Sequence, residues 1–235
     1  PGQSSDPSLT AWAVLGLSAA GREPARSPTG YLDGSSARTA NDLALRILAL
    51  DALGRNTDAL TDRLEGMRGP RGRIGTLVNS TIWGVIALRA TGRPAGTSAW
   101  YLLRAQRKSG GWSWHPQGAP DSNDTAAAVQ ALRAAGVPAR SRAIRRGLGY
   151  LRSLQRRDGG FALGPGRAAD AQSTAWAVQA YVAAGKPPPP RAFRYLAELR
   201  QADGSYRYSK RYAATPVWVT SQVLPALARE PFPLG

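Results

Sequence analysis

The chain has 235 residues, 43% of them hydrophobic, and a formal net charge of +16. This length and composition suit one sizeable core, so we expect a single domain over residues 1–235. The sequence has no cysteine and one histidine, His115, which excludes disulfides, cysteine nucleophiles and zinc sites built from thiolates or several histidines. We therefore expect no metal ion and no cofactor. Every apolar run is shorter than the roughly 20 residues that a membrane-spanning helix needs.

The positive charge comes mainly from arginine, because only three of the 31 basic residues are lysines. Arginine forms planar contacts with phosphate and carboxylate groups, so an anionic surface is a possible partner. No DNA- or RNA-binding motif accompanies the arginines, which fall mainly on predicted outer faces and loops. We therefore expect no specific nucleic-acid partner.

Apolar, alanine-rich segments with almost no charge recur along the chain, and most of them close on a glycine. A helix that is apolar on all sides must be enclosed by other helices, so these segments predict inner helices. Counting back eleven residues from the closing glycine gives a common starting residue in five copies: Thr10, Leu43, Thr81, Thr125 and Thr174. A sixth copy is predicted from about Thr215 to Ala228. Glycine suits the helix C-termini, and Asp6, Asp121 and Asp170 suit N-caps.

Amphipathic segments lie between the inner helices. In residues 141–156, Ile144, Leu148 and Leu151 form a helical stripe, while the arginines fall largely off it, as on a helix with one wet face. Further outer helices are predicted at residues 57–67, 97–107 and 190–201, and residues 22–38 have room only for a turn or a broken helix. The sequence thus predicts an all-α fold with six inner helices and five or fewer outer helices.

The chain begins in the middle of a repeat. Residues 1–12 align without a gap on residues 165–176, which join a connection to an inner helix. The first inner helix therefore has no outer partner before it, and we expect an upstream outer helix and a targeting segment in a longer precursor. On this basis we expect an exported bacterial protein, secreted or held at the cell surface.

Three stretches share a second pattern, in which an aromatic residue and a leucine are followed by a polar residue and then by glycine and another aromatic residue. They are Tyr101-Leu102…Gln106…Gly110-Gly111-Trp112, Tyr150-Leu151…Gln155…Gly159-Gly160-Phe161 and Tyr195-Leu196…Arg200…Gly204-Ser205-Tyr206. The pattern resembles the QW motif of the prenyltransferase and squalene-oxidase repeat family, with Arg200 in place of glutamine in the third copy. The resemblance implies an α/α toroid, the fold of terpenoid cyclases and protein prenyltransferases. The motif residues are structural and join neighbouring repeats: Gln106, Trp112, Gln155, Phe161 and Tyr206.

The segment at the start of an inner helix that most clearly suggests a function is Asp121-Ser122-Asn123-Asp124-Thr125-Ala126. It is similar to the Asp-x-Asp-Asp-Thr-Ala motif of squalene-hopene cyclases, in which the middle acid protonates a polyene. Here Asn123 occupies the middle position, and an amide cannot donate a proton to an alkene. An enzyme would therefore depend on Asp121 and Asp124, with Asp170 as the third candidate, and the structural alternative for these residues is helix capping.

Tryptophans recur two residues after the common threonine, at Trp12, Trp83 and Trp176. Two residues correspond to about 200° around a helix, so the threonines and tryptophans point in opposite directions. With the threonines towards the cavity, the tryptophans belong to the core between the helical layers, and this is the orientation we predict. Residues in the connections at the cavity rim are the candidates for ligand contact: Trp114, His115, Asp124, Tyr208 and Tyr212.

Three functions fit the sequence. The first is a toroid domain that binds a small molecule, an isoprenoid or a glycan at the cavity rim, without evident catalytic machinery. The second is an enzyme that acts on an isoprenoid or a polysaccharide through the rim carboxylates, and the third is a structural surface module. Converging carboxylates with shifted pKa values in a deep pocket favour the enzyme, whereas an aromatic cleft without them favours the binding module.

Overall fold

The computed structural model describes residues 6–234, which form eleven α-helices and one short antiparallel strand pair. In chain order the helices are α1 (Pro7–Ala19), α2 (Thr29–Gly34), α3 (Ala40–Ala52), α4 (Asp58–Gly66), α5 (Val78–Ala90), α6 (Thr97–Ala105), α7 (Ser122–Ala134), α8 (Arg142–Ser153), α9 (Ala171–Ala183), α10 (Pro190–Glu198) and α11 (Pro216–Ala228). Strands β1 (Phe161–Ala162) and β2 (Ala169–Asp170) lie between α8 and α9. Within residues 6–234 the odd-numbered helices are the six predicted inner helices, and the even-numbered helices are five outer helices. The predicted all-α fold is confirmed.

The inner helices form a closed ring. Each odd-numbered helix packs against the next one, and α11 packs back against α1. The outer helices pack against inner helices that adjoin them in the chain, so the fold is the predicted α/α toroid. The seam between α1 and α11 is tight, because a Cβ atom on Gly16 would lie only 2.8 Å from the Cα atom of Ser221. The two helices can approach this closely because residue 16 has no side chain.

The helix ends follow the sequence closely. Asp6, Asp121 and Asp170 each accept a hydrogen bond from the backbone N–H three residues further on, so the predicted N-caps are confirmed. Two residues after each of α1, α3, α5, α7 and α9 ends, the chain turns on a glycine with φ between 62° and 87°: Gly21, Gly54, Gly92, Gly136 and Gly185. Glycine adopts this left-handed conformation without the steric cost that a side chain brings.

The QW-type motifs connect neighbouring repeats. The Gln106 amide donates to the carbonyl oxygens of Gly110 at 2.8 Å and of Ala143, in the first turn of α8, at 2.9 Å. Gln155 donates to the carbonyl oxygen of Gly159 at 3.0 Å. The aromatic residues of the three motifs are buried: Trp112, Phe161 and Tyr206. Gln106 thus joins its motif to the next outer helix, and the bond from Gln155 closes the turn of its own motif.

Among the helices of residues 6–234, none has the length and apolar character that crossing a membrane requires. Residues 1–5, which carry part of the alignment on residues 165–176, lie outside the described residues. The upstream outer helix that we expect from this alignment stays a prediction.

Candidate active site

A cavity of about 440 Å³ lies in the centre of the ring, at the end where the inner helices begin. Each inner helix contributes two residues to the lining, one two positions before the common threonine and one two positions after it. Leu43 in α3 and Thr220 in α11 occupy the position of the threonine in their helices. The residues before the threonine form an upper tier at the mouth: Ser8, Asn41, Asn79, Asn123, Gln172 and Trp218. The residues after it lie about one helical turn, or roughly 6 Å, deeper and form a lower tier: Trp12, Leu45, Trp83, Ala127, Trp176 and Gln222. The cavity thus has a mainly polar mouth and a mainly apolar floor.

The threonines point away from this cavity, so the orientation predicted from the sequence is wrong. The hydroxyl groups of Thr81, Thr125 and Thr174 accept backbone N–H groups from the connection before their own helix, at 2.9–3.1 Å. A buried N–H group needs an acceptor, and the threonine hydroxyl supplies it. Because the tryptophans lie on the opposite side of each helix, they face the cavity and not the core between the layers.

Three tryptophans close the floor of the cavity. The ring centroids of Trp12, Trp83 and Trp176 lie 5.3–5.9 Å apart in edge-to-face contacts. Phe232, in the segment after α11, packs against all three rings at 5.8–6.1 Å. The backbone N–H of Phe232 donates to Oε1 of Gln130 at 2.8 Å. The segment after α11 therefore supports the tryptophan floor from the end of the ring opposite to the mouth.

Two carboxyl groups meet at the mouth. Asp121 is the N-cap of α7 and accepts the backbone N–H of Asp124 at 2.8 Å, and the side chains of the two residues are also hydrogen bonded. The Asn79 amide donates to Oδ1 of Asp124 at 2.5 Å, and the Asn41 amide donates to Oδ1 of Asn79 at 2.6 Å. Asp124 is only 3% exposed. A chain of hydrogen bonds thus holds a buried carboxyl group at the cavity wall.

Burial and the neighbouring Asp121 carboxylate raise the pKa of Asp124 to about 8, against the opposing effect of the hydrogen bond from Asn79. Burial also raises the pKa of Asp121, while the hydrogen bond from Asp124 lowers it. Two adjacent carboxyl groups cannot both ionise at low cost. At neutral pH the shared proton therefore resides mainly on Asp124, and Asp121 carries the negative charge.

Asp170, the third carboxyl group of the enzyme hypothesis, does not join this pair. It caps α9, and its two carboxylate oxygens accept the backbone N–H and the hydroxyl of Ser173 at 2.7 and 2.8 Å. Burial raises the pKa of Asp170 to about 6, although these hydrogen bonds and one from Tyr208 lower it. The residue lies outside the lining of the central cavity. Its structural role is the capping that the sequence offered as the alternative.

Of the five candidates for ligand contact, Trp114 and Asp124 line the cavity. Trp114 lies at the mouth and is 49% exposed, and its carbonyl oxygen accepts the backbone N–H of Asn79 at 3.1 Å. Tyr208 lies beside Asp170. His115 and Tyr212 are exposed side chains that do not contribute to the lining.

Sequence reasoning missed the amides of the upper tier and the cavity-facing tryptophans. The signal was present, because the register that locates the inner helices also fixes which residues share one helix face. Asn41 and Asn79 stand two positions before the common residue, as Asn123 does in the segment from Asp121 to Ala126.

The site offers a neutral carboxylic acid beside an ionised one, above an aromatic floor. The described part of the chain holds no cluster of three or more His, Cys, Asp or Glu residues that could ligate a metal ion. A carboxylic acid with this pKa can donate a hydrogen bond or a proton to a ligand at neutral pH. The cavity thus combines an acid at its entrance with an apolar floor.

The ring of inner and outer helices defines the protein as an α/α toroid with a central cavity. Residues 96–234 match the squalene-hopene cyclase C-terminal domain family, and the chain belongs to this family. The resemblance that the QW-type motifs indicated is confirmed. Among curated protein sequences, none matches the chain significantly.

Several solved structures have a similar fold. A type II terpene cyclase from Scytonema, in complex with its substrate geranylgeranyl dihydroxybenzoate, has a TM-score of 0.71 and 14% sequence identity, over 95% of this chain and 87% of that chain. The ent-copalyl diphosphate synthase from Streptomyces platensis has a TM-score of 0.65 and 22% identity, over 95% of this chain and 50% of that chain. A polysaccharide lyase has a TM-score of 0.65 and 13% identity, over 94% of this chain and 89% of that chain. Similarities at these identities show the fold alone, and the fold carries more than one chemistry.

Proposed function

We propose that the protein is a terpenoid cyclase that starts cyclisation by protonating an isoprenoid in the central cavity, with Asp124 as the proton donor. The observation that carries the proposal is the state of Asp124. This residue is buried at the wall of a tryptophan-lined cavity, and its pKa is raised to about 8, so it keeps its proton at neutral pH. Membership of the squalene-hopene cyclase C-terminal domain family supports the same chemistry.

Although Asn123 replaces the middle acid of the motif, the cavity still contains a carboxylic acid, that of Asp124. Asn123 and Asp124 both line the cavity, and Asp124 takes the role that the motif gives to its neighbour. The Asn79 amide occupies Oδ1 of Asp124, which leaves Oδ2 to carry the proton. Asn79 thereby positions the acid.

The aromatic floor would stabilise the carbocation that proton transfer creates, which a carboxylic acid alone does not do. Proton transfer to an alkene carbon leaves a carbocation, and a weak acid reaches this state only where the surroundings stabilise the charge. A cation over an indole face gains about 0.5–2 kcal/mol, and three indoles meet below the acid. The hydrocarbon chain would lie against these rings, with its polar end among the amides of the mouth. The ring-closed cation ends the reaction by losing a proton to water or to the Asp124 carboxylate.

The test is turnover in D₂O with two probes, geranylgeranyl diphosphate and geranylgeranyl dihydroxybenzoate, followed by mass spectrometry of the products. We expect a cyclised product that carries one carbon-bound deuterium. Asp124→Asn should lower the rate by about a hundredfold or more, as expected for loss of a general acid. Asp42→Asn is the matched control, because Asp42 also lines the cavity and its substitution leaves the Asp121–Asp124 pair intact. A cyclised product without deuterium, or equal losses in the two variants, would contradict the proposal.

A second candidate is binding of an isoprenoid without turnover. It is favoured by the hydrogen bond from Asp124 to Asp121, because proton transfer to a substrate would leave two adjacent carboxylates. Saturable quenching of tryptophan fluorescence by geranylgeraniol, with no product from either probe, would support this candidate. Export of the protein stays a separate prediction.

A further inference from the structure

A second cavity, of about 700 Å³, lies outside the ring, between α6 and the connection that follows α4. Its lining contains four cationic side chains: Arg71, Arg104, Arg107 and Lys108. We propose that this cavity binds an organic phosphate, that is, a phosphate ester whose anionic group contacts the four cations. The site is independent of the proposed cyclase activity, because anion binding here requires neither the central cavity nor Asp124.

The positive charge of this cavity is not balanced by neighbouring acids. No acidic residue lines it, and the ion pairs within residues 6–234 leave out all four cations. The C-terminal end of α6 carries about half a negative charge, which is too little to offset four positive charges. The Arg146 guanidinium donates hydrogen bonds to two of the nearby carbonyl oxygens, those of Arg107 and Lys108, at 2.8 and 2.5 Å. These oxygens are therefore already paired with a cation. An anionic ligand would therefore lower the electrostatic free energy of the cavity.

One of the guanidinium groups is already held at the cavity wall, and a second lies near a backbone carbonyl oxygen. Arg107 donates to the carbonyl oxygen of Gly118 at 2.8 Å, and Arg104 approaches the carbonyl oxygen of Arg71 at 3.4 Å. A guanidinium group has five N–H donors, so each keeps several for a ligand. Arginine matches the paired oxygens of a phosphate group better than lysine does. Groups held in this way lose less conformational entropy when the ligand binds.

The remaining lining indicates that the ligand has an organic part. Tyr101 and Pro116 supply apolar surface, and the volume falls within the range of about 300–1,000 Å³ that is typical of sites for small organic molecules. An inorganic phosphate would leave much of this surface without a partner. A phosphate ester with an aromatic or aliphatic group fits both the cations and the apolar wall.

The test is isothermal titration of the full chain with inorganic pyrophosphate and with phenyl phosphate at about 0.15 M salt, where exposed charges more than about 8 Å apart are largely screened. The variant is Arg71→Gln/Arg104→Gln, and the matched control is Arg142→Gln/Arg145→Gln, which removes the same charge from exposed positions on α8. We expect saturable 1:1 binding of phenyl phosphate, weakened about tenfold or more in the first variant. The control should bind within about twofold of the original chain, because long-range electrostatics alone is weak in water.

A vesicle assay identifies the source of the phosphate. If vesicles of phosphatidylcholine with phosphatidate bind the chain in an Arg71- and Arg104-dependent way while phenyl phosphate does not, the ligand is a lipid headgroup. If phenyl phosphate binds and the vesicles do not, the ligand is a soluble ester. Equal weakening in the variant and its control would show attraction by net charge alone and would overturn the proposal, as would the absence of binding in both assays. Asp124→Asn should leave the titration unchanged, so failure of the cyclase proposal does not affect the result.

Discussion

Replacement of Asp124 by asparagine should remove a large part of the pH dependence of stability. In the unfolded chain an aspartate ionises near pH 3.8, whereas the folded Asp124 keeps its proton up to a pKa of about 8. Between these values the folded state binds more protons than the unfolded state. The stability that Asp124 contributes is therefore full below about pH 4 and is lost as the pH rises towards 8.

The magnitude follows from the raised pKa. Each pH unit in this window costs about 1.4 kcal/mol, and the loss levels off near the folded pKa. From pH 6 to pH 8 the original chain should therefore lose about 2 kcal/mol through this group. The asparagine amide resembles the protonated acid: its oxygen can accept from Asn79, and its NH₂ group can donate to Asp121. The variant should thus keep the hydrogen bonds and lose the titration.

The assay is urea unfolding at pH 6 and pH 8, followed by tryptophan fluorescence, for the original chain and Asp124→Asn. The difference between the two proteins cancels the titrating groups that are not coupled to Asp124, including Asp170 with its pKa of about 6. We expect the original chain to lose about 2 kcal/mol more than the variant over this interval. Equal losses in both proteins would refute the assignment of the proton to Asp124. Because Asp121 is coupled to Asp124, the measured difference belongs to the pair.

Three further substitutions test the packing of the toroid. Gly16→Ala should destabilise the chain by about 1–3 kcal/mol, because the added Cβ would meet the backbone of Ser221; Gly30→Ala, where no atom lies within 4 Å, is the control for urea unfolding. Phe232→Ala should cost about 3–5 kcal/mol and change the tryptophan emission spectrum, because Phe232 contacts all three floor indoles; an unchanged spectrum would contradict the role given to the segment after α11. Thr125→Val should cost about 1–3 kcal/mol, because it leaves the buried backbone N–H of the preceding motif without its acceptor; unchanged unfolding would show that this N–H finds another partner.

The sequence predicted the helices well because their signals are local. An N-cap such as Asp121 acts on an N–H three residues away, and a closing glycine such as Gly136 acts on the turn in which it lies. Hydrophobic periodicity separated the inner from the outer helices because it reports how many sides of a helix are covered. The ring itself followed from the repeat, since identical units packed in the same way curve in the same direction.

The site was predicted only in part. The carboxyl pair and Trp114 could be placed at the mouth because Asp121 and Asp124 begin α7 and Trp114 precedes it. The orientation of the inner helices could not be decided, because threonine and tryptophan are both acceptable on either side of a helix that is buried all round. The choice depends on which backbone N–H groups in the connection before each helix need a hydroxyl acceptor once the chain has folded, as those of Trp112 and Phe161 do.

By itself, the sequence determined the toroid, the register of its inner helices and the family, because these depend on patterns that repeat along the chain. Tertiary structure alone decided that Asp124 is the protonated acid. Its pKa depends on burial, on the charge of Asp121 and on an amide of Asn79, which lies 45 positions away in the chain. The protonation state of a side chain is set by the dielectric and the charges that surround it in space, and the order of residues along the chain does not specify that environment.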